Sequence, residues 1–313
     1  MIDATAFPRL ARLIEALVAR WPGHAGYLAK SFTGRSPASM ATTEEIAGVI
    51  ERLAADIGGG INTLCADYRF LCEEIVLPEE LHFRRHGSYR LTSFEDANSE
   101  CYANAAFMGR YMNGLLMSDV MWANHAAAMN YYVRDYLPVL AVGSDHLEIG
   151  PGHGIFLYFA ARRTEIGSVS AWDVSPTSIA NTRHALATLG VTRPVSLVLQ
   201  NLFDASGADS EGNFDSIVMS EILEHMEDPV AALGAAALWL RPGGTIWVNV
   251  PVNSPAPDHI YLFTSPEHAS EVVRAAGLEI AATAAFAMQN FSLEKAARNQ
   301  LSVSCVVTAR KPA

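Results

Sequence analysis

The sequence predicts an α/β chain: a doubly wound, mostly parallel seven-stranded sheet with an α-helical N-terminal cap. Three observations carry this. From Asp145 onward, short apolar runs alternate with helical patterns, as in a parallel sheet covered on both faces. Before Leu137, apolar residues recur at helical spacing instead. The first strand-like run leads straight into Gly150, Gly152 and Gly154, at the turn into the next helix. The change of pattern divides the 313 residues into a cap, 1–137, and a ligand-binding domain, 138–313.

In the cap, FPRLARLIEALVARW places Leu10, Leu13, Ile14 and Leu17 on one face. TTEEIAGVIERLAADI carries a helix-start signature at Thr42 or Thr43, with Glu45 close behind. FRRHGSYRLTSFEDANS is turn-rich and suits a short hairpin. NAAFMGRYMNGLLMSDVMWANHAAAMNYYVRDYL is a long Met-rich helical stretch, divisible into two helices.

After Asp145, HLEIG reads as a buried strand and GIFLYFAARR as a helix. VSAWDVS is a strand, and SPTSIANTRHALATLG a helix capped by Ser175 with Pro176 in its first turn. VSLVLQNLF and FDSIVMS are strands, EILEHMEDPVAALGAAALWL is helical, RPGG is a turn and TIWVNVPV a strand. SPEHASEVVRAAG is a helix, followed by the strands LEIAATAAF and LSVSCVVTARK. SLEKAARN between these last two suits only a short helix, so the sheet is expected to finish antiparallel.

Half of the chain is hydrophobic and 18% is charged, which allows a large core. A net charge of −11 disfavours broad capture of nucleic acid or anionic lipid, so neither nucleic acid nor membrane is expected as a partner. Arg84, Arg85 and Arg90 read as ion-pair partners or a solvated face. Cys65, Cys72, Cys101 and Cys305 form no CxxC pair and no zinc spacing with histidine. They read as reduced packing residues of a cytoplasmic protein. The amphipathic, charged N-terminus is unlike a signal peptide, and no stretch has the apolar length of a membrane span. The apolar N-terminal helices suit packing on the core or on a second copy, which is compatible with a homodimer.

Glycine costs backbone entropy and packs nothing. Three at alternate positions imply a backbone that turns tightly and is approached closely, whereas a bare turn needs one or two. In a doubly wound sheet, ligands sit at the carboxyl ends of strands where the strand order reverses. A dinucleotide fingerprint would need glycine where this chain has Ile155. Glu148 would also repel a pyrophosphate, and it suits a cationic amine. An NAD-dependent oxidoreductase is therefore the lesser enzyme reading, and a non-catalytic binding protein of the same fold is a third.

EIGPGHG resembles the first motif of the class I S-adenosylmethionine-dependent methyltransferases: an acidic residue, an apolar one, then alternating glycines. AWDVS, LQNLFD, FDSIVMSEILEHMEDP and LRPGGTIWVNVP resemble later motifs of that family, in order. The resemblance spans about Asp145 to Lys311 and extends to the branch of ubiquinone-biosynthesis O-methyltransferases and many small-molecule methyltransferases. It implies a Rossmann-like methyltransferase fold, S-adenosyl-L-methionine as cofactor and S-adenosyl-L-homocysteine as product. It implies that Glu148, Gly150, Pro151, Gly152 and Gly154 shape the methionine end of the pocket. Asp173 would receive the ribose hydroxyls, with Val174 against the adenine. Asn201, where the family more often has aspartate, would meet the adenine amine, with Leu202 beside the ring. Ser220 and Glu221 would complete the cofactor site. The implied acceptor is a small metabolite or modified peptide, methylated on oxygen ahead of nitrogen or carbon.

Methyl transfer is an in-line displacement at a carbon already activated by sulfonium, so the protein aligns the nucleophile and takes a proton where the acceptor carries one. If helical, Glu221, Glu224 and His225 share one face at i, i+3 and i+4. His225 is then a base or substrate anchor. In other readings the group is an ion-paired helix start, or binds a divalent metal with His259, the weakest of the three. His259, in the proline-rich loop after the fifth strand, is a second candidate base. Tyr111, Trp122 and His125 are candidates for substrate contact, against the reading of a Met-rich core face. A helical cap would shield the reaction from water.

Overall fold

The computed structural model describes residues 2–204 and 212–313, in two compact units. The helical unit is Met1–Tyr131 with Ser254–Ile260 and Phe286–Ser304. The sheet unit is Tyr132–Asn253, Tyr261–Ala285 and Cys305–Ala313. The chain thus enters the sheet unit at Tyr132 and returns twice to the helical one.

The helical unit holds α1 (Pro8–Arg20), α2 (Ala25–Phe32), α3 (Pro37–Ala54), α4 (Ile61–Phe70), α5 (Leu77–His86), α6 (Phe94–Ala97), α7 (Ala105–Met121) and α8 (Ala123–Tyr131). Leu10, Leu13 and Leu17 of α1 are fully buried, each worth about 1.5–3 kcal/mol. Helix α3 starts before Thr42, because Ser36 accepts a bond from the Ser39 N–H at 3.1 Å and Pro37 fills the first turn. Thr43 instead donates back to the Ser39 carbonyl at 2.8 Å, inside the helix. The expected hairpin is absent from these described residues. Helix α5 runs on to His86 and ends on left-handed Gly87 (φ 72°), and Ser93 then caps α6. Arg84 pairs with Glu80, and Arg90 with Glu79 and Glu100. The Met-rich stretch divides at Trp122, whose backbone is extended (ψ 131°). The Trp122 Nε1–H donates to the Tyr68 hydroxyl at 3.0 Å. Cys65, Cys72, Cys101 and Cys305 are free thiols.

Among the described residues the sheet has seven strands: β1 (Asp145–Ile149), β2 (Ser168–Asp173), β3 (Ser196–Leu199), β4 (Phe214–Ser220), β5 (Leu240–Val252), β6 (Glu279–Ala287) and β7 (Val303–Arg310). Their order is β3-β2-β1-β4-β5-β7-β6. Strand β1 pairs in parallel with β2 and β4, β2 with β3, and β4 with β5. The Lys311 N–H donates to the Gly244 carbonyl at 2.9 Å, and the Gly243 N–H to the Lys311 carbonyl at 3.0 Å. The end of β7 therefore lies beside the start of β5, so β7 is antiparallel, as expected.

Helices α9 (Ile155–Ala161), α10 (Pro176–Thr188), α11 (Pro229–Trp239) and α12 (Pro266–Ala275) follow β1, β2, β4 and β5. Helix α13 (Leu293–Asn299), between β6 and β7, belongs to the helical unit. Leu147, Ile217, Val218, Met219, Ile246 and Trp247 on the central strands are fully buried, which explains their near-continuous apolar sequence. The expected RPGG turn is drawn into β5 with a register shift against β4 and Gly243 at φ 76°. No described helix is long and apolar enough to cross a membrane.

Candidate active site

The strand order reverses at β1, between β2 on one side and β4 on the other. Ligands of doubly wound sheets bind at the carboxyl ends there. Glu148 is the penultimate residue of β1, level with Ala171 and Val218. It is 3% exposed, and its Oε2 has no hydrogen-bond partner. Burial alone pushes its pKa well above the usual 4.5. A carboxyl so placed is costly unless a ligand supplies the missing donor.

The backbone then turns through Gly150, Gly152 and Gly154 at φ 68°, 52° and 78°. All three lie in the left-handed region, where a side chain is strained. A Cβ at Gly150 would strike the Ile222 side chain, and one at Gly154 would come within 3.3 Å of Thr182 Cγ2. The turn is pinned on both sides. The Gly150 N–H donates to the Trp172 carbonyl at 2.8 Å, and Thr182 Oγ1 donates to the Gly152 carbonyl at 3.0 Å. Pro151 accepts from the Gly154 N–H at 2.7 Å.

At the end of β2, Asp173 accepts from the Ser175 N–H (2.8 Å) and from Ser178 Oγ (2.5 Å). Burial raises its pKa, against the lowering effect of these bonds. Each oxygen keeps a second acceptor direction, which suits a pair of hydroxyls. Val174 is 61% exposed beside it. After β3, Asn201 Oδ1 accepts from the Phe203 N–H at 3.0 Å, and Leu202 is buried. Phe203 is an exposed aromatic that the sequence reading passed over.

At the end of β4, Glu221 takes φ 54°, so no helix starts there. Leu223–His225 is a single 3-10 turn, and α11 begins only at Pro229, capped by Asp228. Glu221, Glu224 and His225 therefore share no helical face. Glu224 is fully buried, with its Oε1 3.6 Å from His225 Nε2. Glu221 is held by Asn249, which lies opposite Ser220 in β5. Asn249 Nδ2 donates to Glu221 Oε1 at 2.7 Å and to Ser220 Oγ at 3.3 Å. Sequence reasoning missed Asn249. Its one signal was a polar residue inside the apolar run TIWVNVPV, since a buried amide must find partners.

A buried polar chain underlies β1. His146 Nε2 lies 3.3 Å from the Tyr132 hydroxyl, its Nδ1 lies 3.0 Å from Ser216 Oγ, and Ser216 Oγ lies 2.7 Å from the Tyr136 hydroxyl. Burial lowers the His146 pKa to about 4.

The other predicted residues lie in the helical unit. His259 is 7% exposed, with Nδ1 2.7 Å from the Ser254 carbonyl oxygen. Tyr111 is buried and donates to Asp258 Oδ1 at 2.9 Å. Trp122 and His125 meet edge-on with ring centroids 4.8 Å apart, and His125 Nδ1 is 2.9 Å from Ser118 Oγ.

The family described as "Methyltransferase domain" matches residues 121–299. The ubiquinone biosynthesis O-methyltransferase of Xanthomonas campestris pv. campestris is 33% identical over 132 residues, 41% of this chain and 53% of that one. The ubiquinone biosynthesis O-methyltransferase of Xanthomonas euvesicatoria pv. vesicatoria is 34% identical over 116 residues, 36% of this chain and 46% of that one. The chain spans about half the length of these curated relatives. Among solved structures, the N-methyltransferase NodS of Bradyrhizobium japonicum WM9, in complex with S-adenosyl-l-homocysteine, is similar. It has 19% identity and a TM-score of 0.44, covering 60% of this chain and 88% of that one.

Proposed function

We infer, for a chain that belongs to the class I S-adenosylmethionine-dependent methyltransferases, that it methylates an oxygen of a small metabolite or modified peptide. The observation that carries the cofactor assignment is the buried Glu148, with Oε2 unpartnered, directly before a turn of left-handed glycines. A carboxyl there suits an ammonium and opposes a pyrophosphate. Oxygen as the acceptor atom draws support from the matched relatives, which are O-methyltransferases by name.

S-Adenosylmethionine, when bound, supplies a methyl carbon activated by its sulfonium. The remaining work falls to this chain. Glu148 would hold the methionine ammonium, and the bare backbone of Gly150, Gly152 and Gly154 would allow close approach. Asp173, fixed by Ser175 and Ser178, would accept both ribose hydroxyls, and Val174 would cover one face of the adenine. His225 and His259 are the proposed proton acceptors for the acceptor group.

The test is titration calorimetry with S-adenosylhomocysteine, followed by product analysis with phenolic and amine acceptors. Wild type is expected to bind. Asp173→Ala should lose about 1.5–3 kcal/mol for each charge-assisted bond removed. Equal affinity in Asp173→Ala removes that residue from the site. Methylation of amines alone would move the acceptor atom from oxygen to nitrogen.

A further inference from the structure

Helix α5 carries two histidines one turn apart near its end. His82 and His86 stand at i and i+4, so they share a face. Their ring centroids are 4.4 Å apart, with the planes inclined by 33°. His86 is exposed and His82 half-buried. Neither ring forms a hydrogen bond or an ion pair among the described residues. Their backbone is firmly set. Phe83, buried to 2% exposure, packs against Tyr89 with ring centroids 5.9 Å apart. The Gly87 N–H donates to the Phe83 carbonyl at 2.8 Å and closes the helix.

The surroundings suit a cation. Arg84 is drawn away from the pair: its Nε donates to Glu80 Oε1 at 2.6 Å, and its Nη1 and Nη2 donate to the carbonyls of Asn299 and Gln300. Arg85 is exposed, so solvent and salt screen its charge. The carbonyls of a last helical turn carry partial negative charge, which favours positive ligands there.

The ring spacing bears on which ion fits. An imidazole nitrogen binds a metal at about 2.0–2.1 Å, which puts the ion about 3.2 Å from the ring centre. For centroids 4.4 Å apart, two such bonds meet at about 90°. A right angle belongs to tetragonal or octahedral coordination and is too narrow for a tetrahedral ion.

We propose that His82 and His86 form a binding site for a divalent transition-metal ion of tetragonal or octahedral preference, copper(II) or nickel(II). Each ring gives one neutral nitrogen, and water fills the other positions. The site lies wholly on one helix and stands independently of the proposed methyl transfer.

Titration calorimetry of the full-length protein with nickel(II) chloride tests the proposal. His82→Gln and His86→Gln should each weaken binding about tenfold or more, because the second ring acts at the high effective concentration of a tethered ligand. Leu81→His/His82→Gln keeps the number of histidines but sets the pair at i and i+5, on different faces, and should weaken binding as much. All other histidines are common to the proteins compared, so an ion held elsewhere cancels. Wild-type affinity in any of these variants overturns the proposal. Electron paramagnetic resonance with one equivalent of copper(II) gives a second readout. Coupling to two imidazole nitrogens is expected in wild type, and to one in His86→Gln. Fewer than two in wild type, or the same coupling in His86→Gln, overturns the site.

Discussion

Asn249 and Glu221 hold each other twice: the Asn249 amide donates to the Glu221 carboxylate at 2.7 Å, and the Glu221 N–H donates to the Asn249 carbonyl at 2.8 Å. The second bond fixes the backbone of a residue in a left-handed conformation, and the first fixes its side chain. Replacing the amide by a carboxylate exchanges a charge-assisted bond for a like-charge contact. Asn249→Asp is expected to weaken S-adenosylhomocysteine binding about ten- to hundredfold, from a bond worth about 1.5–3 kcal/mol. Calorimetry checks this, and wild-type affinity would detach the pair from the cofactor site.

Gly150→Ala meets two separate costs. The left-handed backbone disfavours a side chain by about 1–2 kcal/mol, and the new Cβ collides with Ile222. Denaturant unfolding should show at least that loss. Gly150→Ala/Ile222→Ala should relieve the collision but keep the backbone cost, so it should be less impaired for cofactor binding than Gly150→Ala alone. A Gly150→Ala protein that unfolds like wild type would contradict the left-handed turn.

His146 sets an acid limit. Burial keeps it neutral in the folded state down to about pH 4, whereas the unfolded chain takes up that proton near 6.5. Between these values the unfolded state binds more protons, so stability falls as pH falls, by about 1.4 kcal/mol per pH unit from this group. His24, also lowered to about 4 chiefly by burial, acts in the same direction. His146→Gln should flatten the decline between pH 6.5 and 4, measured by urea unfolding across the range. An unchanged slope would mean that the ring is protonated in the folded protein.

Glu148 has the opposite sign. Its carboxyl stays protonated above the usual 4.5 in the folded state, so its contribution is lost as pH rises above that value. Glu148→Gln should therefore make the protein more stable at pH 7 while weakening S-adenosylhomocysteine binding. A variant less stable than wild type at pH 7 would show that the carboxylate is paired in the free protein.

The sheet was legible because strand and helix periods differ and because Ser175–Pro176 and the glycine turn mark boundaries locally. The Glu221 region was not. Its sequence continues a helical pattern, but the left-handed kink depends on Asn249, distant in the chain and adjacent only through the β4–β5 register. Thr42 misled for a related reason: its spacing to Glu45 imitates a cap, while Ser36 with Pro37 supplies the real one. His259 was legible as a residue type in a loop. Its orientation was not, because that depends on the Ser254 carbonyl, whose direction only the folded loop defines.

The chain's two returns to the helical unit bear on how the protein can be divided. Cutting at Tyr131 does not separate a transferable cassette from a self-sufficient remainder, because Ser254–Ile260 and Phe286–Ser304 stay behind on the wrong fragment. Grafting the first 131 residues onto a relative would omit the segment that carries Asp258 and His259. Moving the whole helical unit into a relative takes three segments and five crossovers, after Tyr131, Asn253, Ile260, Ala285 and Ser304.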